Sequence, residues 1–159
     1  MAIQISSDTF EHEGAIPQRH ARQGQNLSPP LQWEADSPDA RQLALVVDDP
    51  DAPGPEPWVH WVIYNIPPET RELPEGVRGE DKPAEPTNTA QGRNSWGTSG
   101  YEGPQPPAGD GPHRYRFHLY ALDVEPTLPA GLTRQELIDK TDGRVRDEGE
   151  LVGIYQTVP

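Results

Sequence analysis

Twenty prolines and fifteen glycines are scattered along this chain of 159 residues rather than gathered in one tract. Proline fixes φ and removes a backbone donor, so it stiffens loops and excludes long helices and unbroken central sheets. Between these interruptions lie short β-rich runs. The combination predicts a folded, loop-rich, mainly β chain rather than a disordered one. Few helical patterns and several short strands separated by Pro/Gly loops favour a mainly β fold, a β-sandwich over an α/β sheet. The length fits one domain, residues 1–159, with a real core. Only 32% of residues are hydrophobic, so the four Trp and five Tyr must carry much of the burial.

The strands are legible from alternation. Ile3 and Ile5 alternate with polar neighbours in residues 1–10 and suit an edge strand. In residues 41–48 Leu43, Leu45 and Val47 share one face, with Ala44 and Val46 opposite. Such a run, apolar on both faces, predicts a buried central strand. Residues 58–65 put Trp58, His60, Val62 and Tyr64 on one face and Val59, Trp61 and Ile63 on the other. Residues 66–111 show little periodicity, and Asn94-Ser95-Trp96-Gly97 with Tyr101 are the anchors expected to pin them. Strand pattern returns at 114–122, where Tyr115, Phe117, Leu119 and Ala121 share a face. Thr133-Arg134-Gln135-Glu136 predicts a capped helix that stops near Gly143, and a last strand is expected over 151–158.

A net charge of −13 argues against nucleic acid and anionic membranes as partners. With no cysteine, disulfides, thiolate catalysis and Cys-ligated zinc are excluded. Lys82 and Lys140 are the only lysines, a bias that fits either a salt-rich habitat or GC-rich coding. The Met1-Ala2-Ile3-Gln4-Ile5 start has no basic or apolar leader pattern, and no run approaches membrane-span length. A cytoplasmic protein without integral membrane association is expected, and a homodimer is compatible with the sequence.

Two islands concentrate the chemistry. Asp49-Pro50-Asp51-Ala52-Pro53 leads into Trp58-Val59-His60-Trp61; Gly103-Pro104-Gln105-Pro106-Pro107 leads into His113-Arg114-Tyr115. Each joins a proline-stiffened loop to a histidine-bearing strand end. Taken singly, the aspartates read as turn residues bonding nearby amides, and either histidine as an ordinary polar residue. A calcium loop fits poorly, because Pro53 stands where the third ligand would be. Taken together, two imidazoles and a carboxylate suit an oxyanion such as a phosphate monoester. The same residue types also permit general acid/base chemistry, so a hydrolase using Asp49, His60 and His113 is the alternative. Nucleophile-elbow, dinucleotide, P-loop and HExxH patterns are absent, which weighs against an enzyme. No cofactor or metal is expected. His12 and His20 are expected at the surface, and His118 on a polar strand face.

At these islands the chain resembles the phosphatidylethanolamine-binding protein family, which includes Raf kinase inhibitor protein and its bacterial relatives. Phe10, Pro17, Asn26, Ser28-Pro29-Pro30-Leu31 and Trp33 fit its N-terminal pattern. Asp48 through Pro53, Trp58 through Trp61 and Asn65-Ile66-Pro67 fit its first signature. Asn94, Gly100-Tyr101, Gly103-Pro104, Pro106-Pro107, Gly109 and His113-Arg114-Tyr115 fit the second. Ala121-Leu122-Asp123 and Leu151-Val152-Gly153-Ile154-Tyr155 look like the bacterial branch. The resemblance implies an antiparallel β-sandwich, Greek-key-like, with one or two short peripheral helices, and a small pocket for phosphate-like groups, including phosphoethanolamine head groups. It puts Asp49, His60, Pro107, His113 and Tyr115 at the pocket, with Asp51 and Trp58 beside it. Gln105 stands where bacterial members often carry Cys. The implied partners are a phosphate-containing small molecule or phosphorylated residue, and a kinase or protease regulated without catalysis. Cis peptides are expected at Ala52-Pro53 and Glu56-Pro57. Lipid carriage is disfavoured by polar pocket residues and an apolar-poor composition.

Overall fold

The computed structural model describes residues 3–157 and is mainly β. Its larger sheet is built on β4 (Gln42–Asp49), every residue of which is buried. β4 pairs antiparallel with β5 (Trp58–Ile66) on one side and with β8 (His113–Leu122) on the other. β9 (Val145–Tyr155) and β2 (Gly14–Ala15) extend the sheet beyond β8, and β7 (Ala90–Gln91) closes the β5 edge. The β2–β9 pairing is parallel; the other pairings are antiparallel. A second sheet, β1 (Gln4–Ser6), β3 (Leu31–Glu34) and β6 (Glu72–Leu73), covers one face of the first.

The apolar character of β4 on both faces follows from what lies against each. Leu43, Leu45 and Val47 join Trp61, Ile63, Phe117 and Leu119 in a core that includes Ile5, Leu31, Trp33 and Leu73 of the small sheet. Ala44 and Val46 face the other way, with Val62, Tyr64 and Leu122, under Leu132 and Leu137. Leu137 belongs to α1 (Arg134–Thr141). The helix begins as its sequence predicts: Thr133 Oγ1 accepts from the Glu136 amide at 3.2 Å, and Glu136 Oε1 accepts from the Thr133 amide at 2.9 Å. The left-handed Gly143 (φ 74°) follows its C-cap, where continuing the helix would be strained.

Three expectations are corrected. β3 forms where the sequence is too short and mixed to signal a strand, because Leu31 and Trp33 pair across β1 and β6 and enter the core. β9 starts at Val145 rather than 151, since its first half is held by pairing to β8 and needs no apolar face of its own. The expected end of that strand, residue 158, and residues 1–2 of the first lie outside the described residues. His20 is fully buried rather than exposed. It donates from Nδ1 to the Leu27 carbonyl (2.9 Å) and meets Thr9 Oγ1 through Nε2 (3.0 Å), so both ring nitrogens are satisfied. Among the described residues no helix is long and apolar enough to cross a membrane.

Candidate functional site

Antiparallel pairing of β4 with both neighbours brings the end of β4 to the starts of β5 and β8. Asp49 pairs in register with Trp58, and Asp48 with both Val59 and Arg116. The two histidine-bearing islands, distant in sequence, therefore meet at one sheet end. Simple alternation would still fail to bring His60 to this site. Val47 pairs with Trp61 but Asp48 with Val59, so one step along β4 spans two along β5 and His60 is the extra residue. This β-bulge re-aims its side chain, as bulges commonly do at functional sites. The ring turns from the Val62 and Tyr64 face toward Tyr115, with centroids 5.1 Å apart. The expectation that His60 shares the face of Val62 and Tyr64 is thus corrected.

Asp49, Ala52, Pro53, Trp58, His60, Trp96, Gln105, Pro106, Pro107, His113 and Tyr115 enclose a cavity of about 250 Å³. His113 is held at both ring nitrogens: Nδ1 lies 2.6 Å from Asp49 Oδ2 and Nε2 lies 2.7 Å from Asp110 Oδ2. Carboxylates accept, so both nitrogens carry protons and the ring is an imidazolium. Burial alone would lower the His113 pKa, but the bonds and charges of Asp49 and Asp110 outweigh it and the net direction is upward. Asp49 Oδ1 also accepts from the Asp51 amide at 2.8 Å, which fixes the turn after β4.

His60 is bound differently. Nδ1 lies 2.7 Å from the Glu102 carbonyl, and the Glu102 amide returns a bond to the His60 carbonyl at 3.0 Å. A carbonyl can only accept, so Nδ1 carries the proton and Nε2 of the neutral ring is a lone pair. Burial lowers the His60 pKa against the pull of Asp49 and Asp48. Between the imidazoles lies Tyr115, whose ring centroid is 6.5 Å from that of His113. Its hydroxyl is buried and makes no hydrogen bond of normal geometry among the described residues, the acceptor facing it being the Asp49 carboxylate. Burial, followed by the negative charge of Asp49, pushes its pKa up, so it stays a protonated phenol.

The support reaches below the lining. Trp96 meets His60 and Trp58 edge-on at 5.1 and 5.4 Å, and the Arg22 guanidinium lies 4.6 Å over its ring. Arg22 also donates to Gln105 Oε1 at 2.8 Å and pairs with Glu102 at 3.2 Å. The Gly103 amide donates to Asn26 Oδ1 at 2.7 Å. A Cβ on Gly103 would stand 2.0 Å from the His20 carbonyl oxygen, so only glycine permits this approach.

The phosphatidylethanolamine-binding protein family model matches residues 6–156. The chain belongs to that family. A UPF0098 protein of Methanothermobacter thermautotrophicus is 42% identical over 154 residues, covering 97% of this chain and 99% of the relative. One from Pyrococcus horikoshii is 42% identical over 156 residues, covering 98% and 77%. Among solved structures, the phosphatidylethanolamine-binding protein homologue CT736 of Chlamydia trachomatis superposes with a TM-score of 0.85 at 36% identity, covering 98% of each chain. Escherichia coli YbcL, a new member of the mammalian family, gives 0.89 at 28% identity, covering 99% of each.

Seven of the eight residues singled out in this phosphatidylethanolamine-binding-family sequence line one pocket: Asp49, Trp58, His60, Gln105, Pro107, His113 and Tyr115. Asp51 lies outside the lining and grips Arg114, accepting from its backbone amide at 2.8 Å and its guanidinium at 3.0 and 3.1 Å. The Arg114 bonds hold the Asp51 carboxyl below its usual range. Ala52-Pro53 and Glu56-Pro57 are trans, contrary to expectation; the cis peptide among the described residues is Glu85-Pro86. The Asp49–Asp51 turn and the Asp51–Arg114 bonds shape this wall instead. Sequence reasoning did not assign Arg22, Trp96 or Asp110 to the site. Gly109-Asp110-Gly111 was the available signal for the last, because two flexible residues flank a carboxylate three positions before His113.

Proposed function

We propose that this pocket binds a phosphate-like anion, borne by a small molecule or a phosphorylated side chain, and that the protein acts by occupancy rather than catalysis. Regulation of a kinase or protease partner is the corresponding cellular role. One observation carries the reading: an imidazolium, a second imidazole and a buried, unpartnered phenol converge on a cavity of about 250 Å³, the scale of a small polar head group. Binding must be local, since a net charge of −13 repels anions at long range. Acid/base turnover is less well supported, because Asp110 occupies His113 Nε2 and, among the described residues, no serine, threonine or cysteine lines the cavity beside the free His60 Nε2. Titration calorimetry with a phosphate monoester at pH 5.5 and 8.5 tests the proposal. Affinity should be higher at pH 5.5 and be lost in His60→Ala and His113→Ala. Equal affinity at both pH values, or turnover of phosphate or ester substrates abolished by His60→Ala, would overturn it.

A further inference from the structure

Counting the hydrogen-bonding capacity left in the cavity narrows the ligand class. Asp49 offers only acceptor oxygens, and both are already engaged. The two protons of His113 are spent on Asp49 and Asp110. With Nδ1 donating to the Glu102 carbonyl, neutral His60 presents an acceptor, not a donor, at Nε2. The donors with capacity are the Tyr115 hydroxyl, the Gln105 amide nitrogen, whose Oε1 takes the Arg22 proton, and the indole N–H groups of Trp58 and Trp96 in the lining. The pocket thus sets one free lone pair and one buried carboxylate against donors that are all neutral. A fully deprotonated oxyanion would face both acceptors without a proton to share.

We infer that the pocket is built for an oxyanion that retains one acidic proton: a phosphate monoester as its monoanion, in preference to phosphodiesters and ester sulfates. This rests on the anion-binding reading above and specifies it. The ligand P–OH donates to His60 Nε2, while its unprotonated oxygens accept from Tyr115 and Gln105. Should the proton pass to the ring, Nε2–H donates back to a phosphate dianion, and the complex keeps the same composition and charge. The groups around His60 favour such sharing. Asp48 and Asp49 on β4 attract a proton to the ring and the Glu102 carbonyl fixes its other nitrogen, while burial and the imidazolium of His113 on β8 resist free protonation. Arg22, across Trp96, is tied to Glu102 and Gln105. A monoester loses its second proton near pH 6. A phosphodiester or an ester sulfate has no such proton at neutral pH, so the head group of an intact phospholipid is disfavoured where its free phosphomonoester is not.

The test uses the wild-type protein and four probes at pH 6: phosphoethanolamine, glycerophosphoethanolamine, 2-aminoethyl hydrogen sulfate and a phosphotyrosine peptide. The first should bind at least tenfold more tightly than the diester and the sulfate, its affinity falling toward tenfold per pH unit above the second phosphate pKa. Calorimetry in buffers of different ionisation heat should show about one proton carried into the complex at pH 8. The peptide distinguishes sources: binding that matches or exceeds phosphoethanolamine assigns the monoester to a protein partner, and weaker binding assigns it to a small molecule. Diester or sulfate binding equal to that of the monoester would overturn this inference while leaving an anion site. Failure of every probe to bind would overturn the anion reading itself.

Discussion

Replacing Tyr115 by Phe should make the protein more stable and a poorer receptor. The Tyr115 side chain is 1% exposed and its hydroxyl has no partner. Leaving such a group buried costs about 1–3 kcal/mol. Tyr115→Phe removes the hydroxyl but keeps the ring packed against His60 and in the core with Phe117. Allowing for small packing losses, unfolding should become harder by about 1 kcal/mol, a rise in melting temperature of about 2–4 °C for a chain of this size. Urea unfolding in phosphate-free buffer reads this as a higher midpoint at constant slope. Phosphoethanolamine affinity at pH 6 should meanwhile fall about tenfold, because a hydrogen bond to a charged ligand contributes about 1.5–3 kcal/mol. Loss of 1 kcal/mol or more of stability in the variant would refute the reasoning, since it would mean that the hydroxyl is paired in the free protein.

Asp110→Asn removes a half-exposed carboxylate that competes for His113 Nε2. Monoester affinity should rise about two- to fivefold, the scale of a solvent-screened pair; weaker binding would show that Asp110 assists the ligand. Gly103→Ala should destabilise by more than about 2 kcal/mol, from overlap with the His20 carbonyl, and a midpoint within error of wild type would contradict the packing described. Burial holds His20, His60 and His118 below the ordinary histidine pKa. Folding expels their protons, so the stability they contribute is complete above about pH 6.5 and is lost as pH falls through their lowered values. His113, raised, works in the opposite sense: its contribution is complete below that pH and is lost as pH rises through its folded value. Three groups against one predict urea midpoints that fall from pH 7.5 to 5.0, and a rise would mean that His113 dominates.

The main sheet was readable because Leu43 to Val47 form an unbroken apolar run and Tyr115 to Ala121 carry a two-residue period, and burial follows both. Thr133 and Glu136 announced the helix because a cap is a local device. The pocket lining was readable for a different reason. Proline-stiffened loops beside histidines mark chain whose shape is set before packing, and pairing with β4 did the rest. What escaped depended on partners remote in the chain. The bulge at His60 exists only relative to β4, and the burial of His20 depends on Thr9, Leu27 and Gly103. Trp96 and Arg22 join the site through each other and the two islands, which no window of sequence contains.

Gly103, pressed onto the His20 backbone, has a consequence beyond its own turn. The adjacent Glu102 carbonyl decides which nitrogen of His60 bears hydrogen, and Asn26 and His20 decide where that carbonyl stands. On the proposed reading, ligand preference is therefore partly encoded in residues outside the cavity lining. Two homologues could share every wall of the cavity and still differ in the protonation state they accept, through drift in the stretch from 20 to 26 alone. Tracing divergence of specificity in this lineage means following the scaffold as closely as the cavity walls.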